Sequence, residues 1–154
     1  MNKYGIILLW FFSWQTAAMK TLPGIMSEGS LSFRCNGSLY TANSTHARGY
    51  VVKQTSVGYI NGANNENMVI GIEWKGVERP GTFSICNKQD KAEFSINHKT
   101  YSVRQTGNYL KIKISDIKQH GAFLLLTGTF EGQLEDKNGN KITITDGKFA
   151  THSL

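Results

Sequence analysis

Apolar and polar residues alternate with a period of two through most of this 154-residue chain. Met68–Trp74 has an apolar side chain at every second position, and Tyr109–Ile114 alternates apolar residues with lysine. Lys141–Thr145 repeats the pattern. Successive side chains of a β-strand point to opposite faces of the sheet, so such a strand buries one face and leaves the other wet. The period favours antiparallel sheets, because strands of parallel sheets are usually buried on both faces.

Turn-forming residues separate the alternating segments. Asn138-Gly139 lies between two of them, and Asn-Gly is the strongest short signal for a β-hairpin. Further breaks occur at Asn61–Asn65, at Pro80-Gly81 and at Thr106–Asn108. Between the breaks we predict strands near residues 31–40, 48–60, 68–75, 82–86, 92–97, 100–105, 109–115, 123–134 and 141–149.

The pattern of strands predicts an all-β fold. No segment has a sustained 3.6-residue apolar repeat, and the only helical element expected is one turn at Asp116–His120 with Ser115 as its cap. About nine short strands with turns between them indicate an antiparallel meander that forms either a barrel or a two-sheet sandwich.

The first 18 residues have the order of a secretory signal peptide. Lys3 supplies a positive start, Tyr4–Trp14 is apolar, and small residues lead to Ala18. The apolar run is shorter than the roughly 20 residues that cross a bilayer as a helix. We predict cleavage after Ala18 and export to the periplasm or the medium, with residues 19–30 as a flexible leader and 31–154 as a single β domain.

Cleavage would leave 136 residues, the size of one domain, with 16 basic and 11 acidic side chains. Cys35 and Cys86 both remain, and an even number of cysteines in an exported chain predicts a disulfide bond. A lipoprotein needs a cysteine at the cleavage site. We therefore expect neither a lipid anchor nor a transmembrane segment in the mature chain.

The one candidate metal motif has a simpler structural explanation. Asp136, Asn138 and Asn140 occupy the first, third and fifth positions of a calcium loop. Lys141 and Gly147 stand where that loop needs glycine and glutamate, respectively. A hairpin turn accounts for the same residues, so no metal ligand and no cofactor are predicted.

Candidate catalytic residues are equally isolated. The four histidines, at 46, 98, 120 and 152, form no pair at ligand spacing, and the chain has no Gly-x-Ser-x-Gly nucleophile elbow. Glu131, Glu135 and Asp136 cluster near the last hairpin, where we expect them to be solvated rather than to act as an acid–base pair. No catalytic residue is predicted, and the chain is not expected to be an enzyme.

Lys111 and Lys113 share the face opposite Leu110, Ile112 and Ile114, so they should point away from the core. A basic face can meet acidic polysaccharide, lipid headgroups or nucleic acid. It can also simply keep a wet sheet soluble, and the sequence favours this second interpretation. No nucleic-acid partner is expected, because no recognised binding signature accompanies the charge.

The aromatic residues allow two interpretations, a core or a platform that binds sugar. Core packing is the favoured interpretation for the set Tyr40, Tyr50, Tyr59, Trp74, Tyr101 and Tyr109.

The order of the strand sequences resembles a known family. The resemblance rests on four segments, Phe33–Tyr40, Pro80–Phe83, Gly128–Gly132 and Ile142–Phe149. They are similar to the small exported β-domains of unknown function found in Bacteroidetes-type bacteria, often described as lipocalin-like or calycin-like. The resemblance implies a lipocalin-like architecture, and it implies no catalytic residues.

Three functions follow from these observations, in order of preference. The first is an exported, non-catalytic protein that binds an unknown ligand, such as a small apolar or amphipathic molecule in the barrel interior. The second is a protein-interaction or inhibitor module that uses an exposed sheet face. The third is an enzyme with a site assembled in space.

Overall fold

The computed structural model describes residues 27–64, 66–86, 90–103 and 107–153, and this part of the chain contains strands and no helix. The all-β prediction is confirmed. The eleven strands are β1 Ser27–Cys35, β2 Ser38–Ser44, β3 Ala47–Val52, β4 Val57–Ala63, β5 Met68–Lys75, β6 Gly81–Ile85, β7 Lys91–Ile96, β8 Lys99–Ser102, β9 Tyr109–His120, β10 Phe123–Glu135 and β11 Lys141–Ser153.

All pairings are antiparallel, in the order β2-β1-β11-β10-β3-β4-β5-β7-β8, with β9 on β10 and β6 on β9. A further pairing of Glu135 with Ser102 joins β10 to β8, so strands β10, β3, β4, β5, β7 and β8 form a ring of hydrogen-bonded neighbours. Strand β1 lies outside this closed set of strands but contacts it across the core. Phe33 of β1 packs edge-on against Phe94 of β7, with 5.5 Å between the centroids of the two aromatic rings.

Two of the predicted strands are hairpins, which raises the number of strands from nine to eleven. The chain turns at Asn36-Gly37, where both residues have positive φ, 49° and 90°. It turns again between β3 and β4, where Ser56 has φ 51°. The first turn carries the same Asn-Gly signal that predicted the last hairpin, whereas the second has no glycine to mark it.

Two other predictions are corrected. Residues 27–30, expected to belong to the leader, are strand, because β1 begins at Ser27 and pairs with β11 up to Ser153. The helical turn expected at Asp116–His120 is strand, because β9 continues to His120 and pairs with Phe123–Leu126 of β10. Backbone pairing to a long neighbouring strand outweighs the weak local preference for a turn. The signal peptide lies outside the described residues.

Strand β10 occupies the centre of the fold because it changes partner along its length. On one edge it pairs with β3 through Phe123–Leu125 and then with β11 from Thr127 to Glu135. Where β3 leaves β10, the backbone N–H of Gly49 donates to the hydroxyl of Thr151 at 2.6 Å. That side chain replaces the ladder bond that β3 has lost, so the buried N–H of Gly49 keeps a partner.

The last hairpin has the predicted register. Leu134 pairs with Ile142 and Gly132 with Ile144, and the apolar members of these pairs are at most 5% exposed. Within the turn, Gly139 has φ +84°.

We expect Gly139→Val to lower the free energy of unfolding by about 1–2 kcal/mol, because a β-branched residue resists the left-handed conformation. Thr143→Ser, at an exposed position on the same hairpin, should change stability far less. Denaturant midpoints of the two variants measure this, and equal midpoints would contradict the assigned turn.

Candidate functional site

Aromatic side chains fill the interior of the protein. Phe33, Phe94 and Phe130 are at most 2% exposed, and their ring centroids lie 5.5–6.2 Å apart. Trp74 is 2% exposed and packs against Phe83 at 6.2 Å. Two grooves on the surface of the described part of the chain are the candidate sites.

The larger groove, which we call the bulge groove, has a volume of about 270 Å³. It is lined by Lys111, Lys113, Thr129, Phe130, Glu131, Asp146, Gly147 and Lys148.

A β-bulge in β11 shapes this groove. Asp146 has φ 54°, and the register of β11 shifts here against both β10 and β1. The next residue is glycine because a Cβ on Gly147 would collide with the carbonyl oxygen of Phe130. Bulges redirect side chains and are common beside functional sites. Here the bulge aims Asp146 outwards, and its exposed carboxylate lies 3.6 Å from Nε of Arg34.

The groove carries more positive charge than its own acids neutralise. Glu131 lies 4.0 Å from Lys111, and Asp146 is engaged by Arg34. Within the described residues, Lys113 and Lys148 have no carboxylate within ion-pair distance. Exposed pairs of this kind contribute little to stability. An anion entering the groove would therefore find two uncommitted ammonium groups, on β9 and β11 at either side of β10, with the exposed Thr129 of β10 lying directly opposite Lys148.

The smaller groove, about 210 Å³, offers less chemistry. Its lining residues are Thr41, Ala42, Asn43, His46, Ala63 and Asn64. The side-chain oxygen of Asn64 already accepts bonds from the backbone N–H groups of Glu66, Asn67 and Met68. Asn64 therefore organises the loop before β5, and this groove has no carboxylate, lysine or arginine in its lining.

The calcium-like residues form a turn, as predicted. Asp136 Oδ1 accepts the backbone N–H groups of Asn138 and Asn140 at 2.8 and 2.9 Å, and Oδ2 accepts the side-chain amide of Asn140 at 2.8 Å. These bonds occupy both carboxylate oxygens. No group of three or more His, Cys, Asp or Glu side chains that would hold a metal occurs in the described ranges.

The other polar candidates lie apart from one another. Glu131 belongs to the bulge groove, whereas Glu135 is 6% exposed and accepts the side-chain amide of Asn108 at 3.0 Å. The expectation that Glu135 and Asp136 are solvated is wrong, since both are at most 9% exposed. The histidines are on the surface, exposed at 46, 98 and 152 and half-buried at 120.

The tyrosines divide between two environments. Tyr40 stacks on Phe33 at 5.5 Å and belongs to the core. Tyr50 and Tyr59 instead form an outer cluster with Val52, Phe123 and Leu125 on the solvent side of β3, β4 and β10. Tyr50 stacks on Tyr59 at 5.2 Å and meets Phe123 edge-on at 6.0 Å. Core packing, the favoured interpretation, is confirmed for Tyr40 and for Tyr50, which is buried in this second cluster, and it is wrong for Tyr109, which is 46% exposed.

Sequence reasoning found part of the groove and missed the rest. Lys111 and Lys113 are exposed, as predicted, opposite Leu110, Ile112 and Ile114, which are at most 2% exposed. Lys148 was missed because it is distant in sequence, and only the pairing of β11 with β10 brings it close. Lys148 has the same parity as the buried Ile142 and Ile144, so uninterrupted alternation would turn it inwards; the bulge at Asp146 turns it outwards, and no sequence signal joined it to Lys113.

Comparison of the chain with protein-family models, with curated proteins and with solved structures finds no match. The resemblance to lipocalin-like exported domains stays a prediction. Along the ranges that the structure describes, no helix is long and apolar enough to span a membrane.

The two cysteines are free thiols, so the expected Cys35–Cys86 bond is not formed in this structure. Cys35 ends β1 and points into the core, whereas Cys86 follows β6 and is exposed. Strands β11, β10 and β9 lie between β1 and β6 in the sheet. That separation keeps the two side chains apart, because a disulfide needs Cα atoms within about 7 Å. Burial raises the pKa of the Cys35 thiol.

Thiol labelling checks this arrangement. We expect a maleimide to modify Cys86 in the native protein and to reach Cys35 only after unfolding, because Cys35 is 7% exposed and protonated. The mass after unfolding without reductant should show two labels per chain. A mass showing no label would mean that the cysteines are bonded.

The turn at Asp136 should make stability depend on acid pH. Hydrogen bonds from Asn140 hold the pKa of Asp136 below its ordinary value of 3.8, although burial acts in the opposite direction. Stability from this carboxylate is present above the ordinary pKa and is lost as the pH falls through the lowered one. We expect Asp136→Ala to lower the urea midpoint at neutral pH and to flatten its fall below pH 4. Asp116→Ala, at an exposed acid, is the control; equal effects would contradict the role assigned to Asp136.

Proposed function

We propose that this protein is an exported, non-catalytic binding module that holds an anionic ligand in the bulge groove on the outer face of β9, β10 and β11. The observation that carries the proposal is the pair of uncommitted ammonium groups, Lys113 and Lys148, in a groove that a conformationally strained bulge has opened. Strained backbone at a surface position is retained where surrounding structure enforces it, and such sites are often functional.

The packed interior favours an outer-face site over an interior one. A small apolar ligand would need an apolar cavity, whereas Phe33, Phe94 and Phe130 occupy the space between the facing strands. We therefore prefer a site on the exposed sheet face, the surface that the protein-interaction or inhibitor module would also use, to a ligand in the interior. A soluble module that binds through lysines also suits an extracytoplasmic location, where the first 18 residues are proposed to direct it.

The ligand class proposed is an acidic polysaccharide that carries carboxylate or sulfate groups. Lysine ammonium groups are mobile point charges without a fixed geometry, which suits repeated anionic groups on a flexible chain. Thr129 adds a hydroxyl between Lys113 and Lys148, able to bond a sugar hydroxyl or an anionic oxygen. Screening by salt should weaken such binding strongly.

The test measures binding of the purified chain to polygalacturonate, to a heparin oligosaccharide and to single-stranded DNA at two salt concentrations. We expect the two glycans to bind and Lys113→Glu/Lys148→Glu to weaken the binding at least about tenfold, because reversing two charges removes attraction and adds repulsion. The matched control, Lys91→Glu/Lys137→Glu, changes the charge equally at exposed lysines outside the groove.

Three results would overturn the proposal. One is wild-type protein that binds neither glycan. Another is equal weakening by the two double variants, which would indicate net charge rather than a site. The third is preference for DNA over both glycans.

A further inference from the structure

Arg48 is a buried cation without an anion. It lies on β3, is 8% exposed, and has no carboxylate within ion-pair distance in the described part of the chain. Its Nε is buried and has no hydrogen-bond partner. Arginine is almost never buried in this way unless it is paired, because an unpaired charge loses its hydration without compensation.

Nε is the nitrogen of Arg48 that is both buried and without a hydrogen-bond partner. Arg48 shares the outer face of β3 with Tyr50, two residues further along the strand, and it lies directly opposite Asn61 of β4. Within the described residues no ion pair engages its guanidinium, and a guanidinium fork matches a carboxylate in a bidentate pair.

Beside Arg48 lies the outer aromatic cluster. Tyr50 is stacked on Tyr59, and Tyr59 is partly exposed. Burial raises the pKa of Tyr50, and the positive charge of the nearby Arg48 acts against that rise. Glu73, opposite Tyr59 on β5, is the acid of this face, and it forms no ion pair with Arg48. The cluster therefore combines an unpaired cation with a partly exposed aromatic surface.

We propose that Arg48, Asn61 and the Tyr50–Tyr59 stack form a second binding site, separate from the bulge groove, for a carboxylate attached to a ring. The carboxylate pairs with the Arg48 guanidinium and the ring covers the exposed part of Tyr59, while the Asn61 side chain, hydrogen-bonded to Tyr50, positions the stack. The site does not rest on the proposed function of the groove, since it shares no residue with it.

The unpaired charge also predicts a signature in stability. Replacing a buried, uncompensated ion by an apolar side chain of similar length is often neutral or stabilising. We therefore expect Arg48→Met to unfold at the same denaturant concentration as the wild type or at a higher one, while it loses binding. If Arg48 served only to stabilise the fold, Arg48→Met would instead unfold at a lower denaturant concentration and would lose no binding.

The experiment follows the Arg48 Nε–H signal by NMR during titration with glucuronate, benzoate and uncharged glucose. We expect glucuronate, benzoate or both to shift the signal in a saturable manner and glucose to have no effect. The two acids distinguish a sugar acid from an aromatic acid as the preferred ring. Arg48→Lys keeps the charge without the fork, and it should weaken the affinity at least about tenfold, as measured by the shifts of neighbouring amides.

Arg34→Met is the matched control, because Arg34 is exposed and already paired with Asp146 at 3.6 Å. It should leave acid binding unchanged, as should the groove variant Lys113→Glu/Lys148→Glu, so failure at one site is distinguishable from failure at the other. The proposal is overturned if neither acid shifts the signal, if glucose binds equally well, or if Arg48→Met lowers the midpoint without changing acid binding.

Discussion

The fold depends on one strand that serves two sets of neighbours. β10 pairs with β3 over its first three residues and with β11 over the rest, while β9 follows its other edge. A strand has only two edges, so β3 and β11 must separate where the partner changes. At that point the hydroxyl of Thr151 accepts a hydrogen bond from the backbone N–H of Gly49, which β10 no longer pairs.

The same strand requires close backbone approach. A Cβ on Gly128 would meet the carbonyl oxygen of Lys113, and a Cβ on Gly132 would meet that of Tyr109. Glycine at these two positions lets the backbone of β9 approach β10 closely. On the outer surface β10 presents its odd-numbered side chains.

Along that surface the character of the side chains changes from one end of β10 to the other. Phe123 and Leu125 belong to the aromatic cluster with Tyr50, whereas Thr129 and Glu131 line the basic groove. β10 therefore contributes side chains to the cluster beside one proposed site and to the lining of the other. The two sites differ in their chemistry. Flexible lysines in the groove suit a polyanion, and a packed arginine beside tyrosines suits a single oriented carboxylate.

The alternation of residues by itself determined the fold class, the faces of most strands and the register of the last hairpin. In a strand each side chain points to one of two faces. A shift of one residue would move Ile142 and Ile144 from the buried face to the exposed face, so their burial selects the observed register. The same reasoning oriented Lys111 and Lys113. It missed the β3–β4 turn, because Ser56 adopts positive φ without a residue type that signals it.

Tertiary structure alone decided which outward residues meet. Lys148 reaches Thr129 only through the pairing of β11 with β10, and Asp146 points out only because the bulge shifts the register there. It also decided that three strands separate β1, which ends at Cys35, from β6, which precedes Cys86, and that the buried Arg48 has no carboxylate within ion-pair distance among the described residues. The physical reason is that sequence periodicity is local, whereas contacts between strands far apart in the chain depend on how the whole sheet closes.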